Sequence, residues 1–372
     1  MNMGVPIFDL RVIDKKLKKS LLNSYSKVLN HGKFFLGPEV DELEKKFSKY
    51  LGMKYAVCLS SGSSAVYLSL LAAGIKKGDE IIVSPLTWII PINAIVACGA
   101  IPVFADVGDD LNIDPQSILN KISKKTKAIM PIHYAGHVCD MKTICKIAKK
   151  NNLLIIEDAA QAFGAKLGEK YAGTFSKVAA FSLNPMKPLN GYGEGGVIVT
   201  NSKEIFDKIK MLRHAGTTSD YKKIITNNCL EVSLNHKMDS ITAASILLSL
   251  KNYKIKKNKI DKLANIYEKK LTNKISFQKK HKNEVHARYV FPILSDNRDK
   301  LMNYLKANNI ESKIFNIPLA YDAPVHRKYK KEKLVNAERL LKEILIIPCH
   351  DKMNFKQLNY VIKNINNFFK KK

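Results

Sequence analysis

Short apolar runs alternate with helical patterns over the first two thirds of this chain. Residues 55–60, 81–84, 101–106, 127–133, 153–158 and 197–200 are brief, apolar and bounded by Gly, Asn, Asp or Ser, as strands are. Between them the apolar positions recur at helical spacing. Residues 9–30 carry Leu10, Val12, Ile13, Leu17, Leu21, Leu22, Tyr25, Val28 and Leu29, and residues 65–73, 140–151 and 201–212 read as further helices. Pro38 opens another, with Glu39 and Asp41 in its first turn, where the helix dipole favours acids. A short helix follows Asn112 to Pro115 and runs through Asn120. This alternation predicts an α/β fold with a mostly parallel sheet and helices on both faces.

A long helix from residue 240 to about 270 bridges to a second unit. The predicted division is a large domain over residues 1–250 and a smaller C-terminal α+β domain over 251–372. In the latter, residues 285–293 read as a strand and 296–309 as a helix. The tail through Phe369 reads as a basic helix with a solvated face.

Composition narrows the picture. A chain of 372 residues suffices for two cored domains. The net charge of +29 raises nucleic acid or an anionic membrane as partners, but the excess is scattered lysine without aromatic interleaving. Neither partner is expected; a general positive field suits phosphorylated small molecules. No pair among Cys58, Cys98, Cys139, Cys145, Cys229 and Cys349 has Cys-x-x-Cys spacing, so neither a disulfide nor a metal site is expected. The N-terminus has no leader pattern and no run is long enough to span a membrane, which predicts a cytoplasmic protein.

The candidate chemistry centres on Lys187, set between Pro185 and Pro188 and followed by Gly191, Gly193, Gly195 and Gly196. The prolines restrict the backbone that carries the amine. Gly191-x-Gly193-x-x-Gly196 matches a dinucleotide fingerprint, but such a fingerprint must open a helix, whereas residues 197–200 read as a strand. An NAD enzyme is therefore not expected. Upstream, the apolar run 153–158 ends at Asp158, and the carboxyl ends of parallel strands are where α/β proteins bind ligands. A pyridoxal phosphate enzyme needs a lysine that condenses with the cofactor aldehyde and a carboxylate paired with the pyridine nitrogen. Lys187 and Asp158 are candidates for that pair. Ser61-Gly62-Ser63-Ser64, between a strand and a helix, is a candidate anion cradle. Alternatively it is an ordinary helix cap.

The runs Glu157-Asp-Ala-Ala-Gln-Ala-Phe-Gly164, Phe181-Ser-x-x-Pro-x-Lys187 and Gly193-Glu-Gly-Gly196 resemble the DegT/DnrJ/EryC1/StrS family of pyridoxal phosphate-dependent aminotransferases, from about Gly32 to the C-terminus. The resemblance implies the aspartate-aminotransferase-like fold (fold type I) and the cofactor pyridoxal 5'-phosphate. It implies that Lys187 is catalytic and that Asp158 meets the ring nitrogen. Gln161, placed one helical turn after Asp158, would reach the ring hydroxyl, and Trp88 would stack on the ring. Ser63, Ser64 and Ser182 would bind the phosphate. Asn235 would reach the phosphate of a second subunit, which implies a homodimer with shared active sites. His133, Gly37 and Tyr192 are weaker substrate candidates, and the apolar segments 317–319 and 346–348 fall where relatives approach substrate.

What the resemblance implies of function is transfer of an amino group from an amino acid, with glutamate expected, to a keto-sugar, in the first place a nucleotide-linked one, for amino-sugar or surface-glycan synthesis. Asn184-Pro-Met-Lys-Pro188 and Gly191-Tyr-Gly-Glu194 depart from the motif common in enzymes acting at sugar C4, so a small phosphorylated ketone stands as an alternative acceptor. A non-catalytic regulatory protein on the same fold is the other alternative; an intact Lys187 and Asp158 argue for turnover.

Overall fold

The computed structural model describes residues 4–220 and 225–370. Its centre is a seven-stranded sheet. The strands are β1 (Tyr55–Leu59), β2 (Glu80–Val83), β3 (Ile101–Phe104), β4 (Thr126–Met130), β5 (Leu154–Asp158), β6 (Val178–Ser182) and β7 (Gly196–Thr200), in the spatial order β1-β7-β6-β5-β4-β2-β3. The pairs β6–β5, β5–β4, β4–β2 and β2–β3 are parallel, whereas β7 runs antiparallel to both β1 and β6. Six strands therefore end at one edge, and β7 starts there.

The helices before and around these strands are α1 (Lys15–His31), α2 (Pro38–Leu51), α3 (Gly62–Ala72), α4 (Ile90–Ala97), α5 (Pro115–Lys121), α6 (Met141–Lys150) and α7 (Lys203–Arg213). Their starts follow local chemistry. Asp14, Ser61, Asp114, Asp140 and Ser202 each accept a first-turn N–H as N-cap, and Pro38 and Pro115 sit where a missing N–H costs nothing. The sheet is apolar on both faces. Val57, Leu59, Ile81, Val83, Ala128 and Met130 pack on one side, and Ile82, Val103 and Ile129 join Ile144 and Ile147 of α6 on the other.

The glycine run leads into a strand, β7, and not a helix, as its sequence suggests. Phe181 and Ser182 lie on a central strand rather than an edge. The hairpin of Thr217–Asp220 and Ile225–Cys229 has no counterpart in the periodicity.

Helix α8 (Ser240–Lys270) leaves the large domain and enters the C-terminal unit, so a division at residue 250 falls within one helix. Beyond it, β8 (Ser276–Phe277), β9 (Phe291–Leu294) and β10 (Ile344–Ile347) form an antiparallel sheet with α9 (Arg298–Ala307), α10 (Val335–Glu343) and α11 (Phe355–Lys370) around it. The expected strand over 285–293 is interrupted: Glu284–Val285 pairs elsewhere and regular structure resumes at Phe291. Helix α11 is not merely a solvated face, because Leu358, Val361, Ile362 and Ile365 are buried in this unit's core. The N-terminus joins the same core: the Val5 N–H donates to Asn309 O at 2.9 Å, and the Glu311 N–H donates to Val5 O at 2.9 Å.

Candidate active site

The edge where six strands end gathers most of the expected site residues. Strand β1 runs out into Ser60–Ser64. Ser61 caps α3 in an extended conformation and accepts the Ser64 N–H at 3.1 Å, which leaves the first-turn N–H groups of α3 pointing out of the helix. Gly62 lies hard against the end of β6. A Cβ there would be 2.6 Å from Ser182 Cβ and 2.8 Å from Ser182 Oγ. The cradle is therefore a two-strand structure, with backbone from α3 on one side and Ser182 on the other.

The two neighbouring serines differ. Ser63 is exposed. Ser64 is buried, and its hydroxyl exchanges hydrogen bonds with Ser60 Oγ at 3.0 Å, Ser61 Oγ at 3.1 Å and His236 Nδ1 at 2.9 Å. Its hydrogen-bonding capacity is spent on the protein. Ser63 and the N–H groups of Gly62 and Ser63 are the open donors. Of the two expected phosphate-binding serines, Ser63 has the more accessible hydroxyl.

Asp158 ends β5 and is 5 % exposed. Burial raises its carboxyl above the ordinary range; the Ala160 N–H, which donates to Oδ1 at 3.0 Å, together with Lys187 and His133, pulls the other way. Glu157, one residue earlier, faces the opposite side of the sheet. It accepts the Gly173 and Phe175 N–H groups, each at 2.8 Å, and the Ser176 hydroxyl at 2.7 Å, and it lies 3.0 Å from His133 Nε2. This four-partner carboxylate is not signalled by spacing, and it pins the 173–176 turn beneath β5.

Lys187 sits in a turn held by its own N–H to Asn184 O at 2.9 Å and by the Met186 N–H to Asn184 Oδ1 at 3.0 Å. Asn184 Nδ2 in turn donates to Glu194 Oε1 at 2.5 Å, which ties the lysine turn to the glycine run. Lys187 as a residue is half-buried, and its Nζ lies 4.1 Å from the centroid of the Tyr289 ring. Burial pushes its pKa down from 10.5 to about 8, against the pull of Asp158 and Glu194. Lys187 and Asp158 thus each feel the other's charge across the strand edge. The cleft beside Lys187 is lined by Met186, Lys256, Arg288, Tyr289, His350 and Asp351 among others. The segment after β10 reaches this cleft at His350, whereas Ile346 and Ile347 themselves are core.

The remaining candidates divide. Gln161 is buried and accepts the Ala135 N–H through Oε1 at 2.8 Å, which leaves its Nε2 as the end able to donate to a ligand. It lies in successive turns over 159–164, not one turn along a helix. Trp88 is 63 % exposed, in the segment between β2 and α4. Tyr192 is half-buried, and Asp351 and Tyr25 help burial raise its hydroxyl. Asn235 is exposed and accepts the Lys237 N–H at 3.2 Å; its neighbour His236 accepts the Ser60 N–H through its carbonyl at 2.8 Å.

His133 is fully buried, with Nε2 on Glu157 and Nδ1 accepting the Cys139 N–H at 3.2 Å, so it presents no polar ring atom to a substrate. Gly37 is buried against α8, where a Cβ would be 2.6 Å from Lys33 O and from Ser240 Oγ. Neither offers a polar side-chain atom to a ligand. His236 and Tyr289, which the sequence did not single out, are the groups that lock Ser64 and cover the lysine.

The family model of the DegT/DnrJ/EryC1/StrS aminotransferase family matches residues 15–366. The chain is 32 % identical to the dTDP-3-amino-3,6-dideoxy-alpha-D-galactopyranose transaminase of Aneurinibacillus thermoaerophilus, over 98 % of this chain and 99 % of that one. It is 31 % identical to a pleiotropic regulatory protein of Geobacillus stearothermophilus, over 99 % of each. Among solved structures, ntda from Bacillus subtilis with bound cofactor PMP superposes with a TM-score of 0.91 at 27 % identity, covering 99 % of this chain and 85 % of that one.

Proposed function

This chain belongs to the DegT/DnrJ/EryC1/StrS aminotransferase family, and from that premise we propose that it transfers an amino group from an amino acid donor to a nucleotide-linked keto-sugar, with pyridoxal phosphate as cofactor. The residues present fit that cofactor. Gly62 leaves room beside Ser182 that a Cβ would fill, open N–H groups of α3 face it, and an amine and a carboxylate flank the same strand edge. The observation that carries the reading is the convergence, at the edge where six strands end, of the Gly62–Ser182 contact and the buried Asp158 carboxylate, with Lys187 held in the turn that follows β6.

Pyridoxal phosphate, when bound, supplies an aldehyde that captures amines and a ring that accepts the electron pair released from the donor's α carbon. The chain supplies the rest. Gly62, Ser63 and Ser182 would hold the phosphate, with the dipole of α3 behind them. Asp158 would hold a proton on the ring nitrogen; its desolvation makes the charge it carries costly unless paired, which favours a cationic partner at that point. Gln161 Nε2 would donate to the ring hydroxyl. Lys187 Nζ would hold the aldehyde carbon between turnovers and, once displaced, carry the proton. An amine whose pKa sits near 8 is suited to both duties. Tyr289 excludes water from one side of it.

The acceptor follows from the relatives and from charge. The transaminase of Aneurinibacillus acts on a dTDP-linked sugar, and the +29 field here favours a phosphorylated acceptor. We place Asn235 and Trp88 at a homodimer interface that completes the site. Leu230, Val232 and Leu234, which precede Asn235, are 58 %, 93 % and 70 % exposed, an apolar surface that a second copy would cover. Six free cysteines suit a reducing, cytoplasmic setting.

The test is glutamate-dependent amination across keto-sugar nucleotides and small keto-phosphates. Turnover of a keto-sugar nucleotide is expected. Turnover confined to keto-phosphates would replace the acceptor. Cofactor binding with no donor-dependent change in absorbance would instead support a regulatory protein, the reading that the Geobacillus relative's name favours.

A further inference from the structure

Behind the wall that carries Tyr289, three imidazoles and two carboxylates meet, and the site described above uses none of them. His137, fully buried, follows the turn Tyr134–Gly136. Its ring stacks on that of His281, with centroids 5.0 Å and planes 9° apart, and His286 lies 5.6 Å away. Asp110 Oδ2 is 3.2 Å from His281 Nε2 and 4.0 Å from His137 Nε2. Glu284 Oε1 lies against His137 Nδ1. Glu284 thus occupies Nδ1 of His137 and Asp110 faces Nε2 of His281, while Nε2 of His137 has no hydrogen-bond partner. A buried imidazole nitrogen with no hydrogen-bond partner, as His137 Nε2 is, calls for an explanation.

We propose that Asp110, His137 and His281 bind a divalent transition-metal ion of the zinc class, with water as the fourth ligand. The three donor atoms already lie within 4.8 Å of one another. A tetrahedral ion with bonds of about 2.0–2.2 Å holds its ligand atoms about 3.3 Å apart. The Asp110–His281 separation of 3.2 Å meets that value, and His137 has to close by about 0.7 Å on Asp110 and by up to about 1.5 Å on His281. Two imidazoles and one carboxylate select Zn²⁺, Co²⁺ or Ni²⁺ over Mg²⁺ or Ca²⁺. Glu284 is the carboxylate that fixes the tautomer of the metal-bound His137, and it also accepts the Val138 N–H at 3.2 Å. Binding requires both rings neutral, so one proton leaves for each ring that was charged.

The ligands come from distant segments, which gives the ion a structural role. Asp110 and His137 belong to the large domain, and His281 precedes the segment that carries Tyr289. Existing bonds run along the same seam: Gln278 Nε2 donates to Asp110 O at 2.7 Å, the Ala287 N–H to Gly136 O at 2.8 Å, and the Tyr289 N–H to Ala135 O at 3.1 Å. The ion would staple residues 278–289 to the turn that also meets Gln161.

The experiment uses untagged, cofactor-loaded protein stripped with a chelator and titrated with Zn²⁺ and with Co²⁺. One equivalent per chain is expected, with the intense visible bands of tetrahedral Co²⁺ and a Zn²⁺-dependent rise in the thermal midpoint. His281→Ala and Asp110→Asn should each abolish these signals. Glu284→Gln should weaken affinity about 10–100-fold, and His31→Ala, which is paired with Glu39 instead, should leave it unchanged. Less than a tenth of an equivalent bound, or one equivalent surviving both ligand variants, overturns the proposal. The readouts are metal content and stability, so they stand apart from any failure to find an acceptor.

Discussion

Replacing Gly62 by alanine tests the cradle directly. The new Cβ would stand 2.6 Å from Ser182 Cβ and 2.8 Å from Ser182 Oγ. Carbon atoms in ordinary contact are about 3.5–4.0 Å apart, so one backbone must retreat by about 1 Å. Both are held: Gly62 opens α3 behind the Ser61 cap, and Ser182 ends a strand paired on both sides. Overpacking of this kind costs about 1–3 kcal/mol. The better helix propensity of alanine returns at most about 0.5–1 kcal/mol, which leaves a net loss of up to about 2.5 kcal/mol in the cofactor-free protein. Cofactor binding should suffer more, because a displacement of about 1 Å in an oriented site can cost about 10²-fold. The assays are thermal unfolding without cofactor and titration with pyridoxal phosphate, followed by the absorbance of the bound form. Ser182→Gly removes the two nearest atoms that the new methyl meets and leaves only Cα, at 3.1 Å. In the double variant the apo stability lost by Gly62→Ala should return, with a coupling of about 1–3 kcal/mol. Gly62→Ala protein with unchanged stability and unchanged cofactor affinity would refute the contact, and absence of coupling would refute Ser182 as its cause.

Lys187 predicts a pH dependence. Its folded pKa of about 8 lies below its ordinary 10.5, so between these values the unfolded chain binds more protons than the folded one and stability rises with pH. In the cofactor-free protein this rise, at most roughly 3 kcal/mol, should vanish in Lys187→Met; an equal rise in the variant would exclude Lys187 as its source. The rate of cofactor capture should climb with pH and level near 8, and a midpoint near 10 would contradict the desolvated amine. Lys187→Ala should lower transamination by about 10²–10⁴-fold or more, since the variant lacks the proton carrier, and wild-type turnover would end the assignment. Glu157→Gln places an amide among four groups that need an acceptor and should cost about 3–5 kcal/mol in unfolding experiments. A change within about 0.5 kcal/mol, typical of surface substitutions, would show that the pinned turn is dispensable.

The strands of the large domain are legible because each is a short apolar run buried on both faces, and turn residues punctuate them. Asp158 and Lys187 stand out for a local reason as well: one is a charge at the end of an apolar run, the other an amine between prolines. The C-terminal unit reads less well. Residues 286–290 look like a strand because they continue an apolar pattern, but the Ala287 and Tyr289 N–H groups go to the 135–136 turn instead of a ladder. That detour places Tyr289 on Lys187, and no local period encodes it.

Roles within the site depend on partners far away in the chain, and there sequence spacing loses its hold. Ser63 and Ser64 are chemically identical and adjacent, yet His236, 172 positions on, takes the Ser64 hydroxyl and leaves Ser63 open. His133 has the look of a strand-end ligand until Glu157 and Cys139 claim both its nitrogens. His137 differs from it only in what surrounds it. Its carboxylate neighbours arrive from residues 110 and 284; Glu284 takes Nδ1, and Nε2 remains without a hydrogen-bond partner. A histidine's function is thus decided by whether its two nitrogens are already satisfied. In this chain that criterion separates a positioning residue from a metal ligand four positions apart.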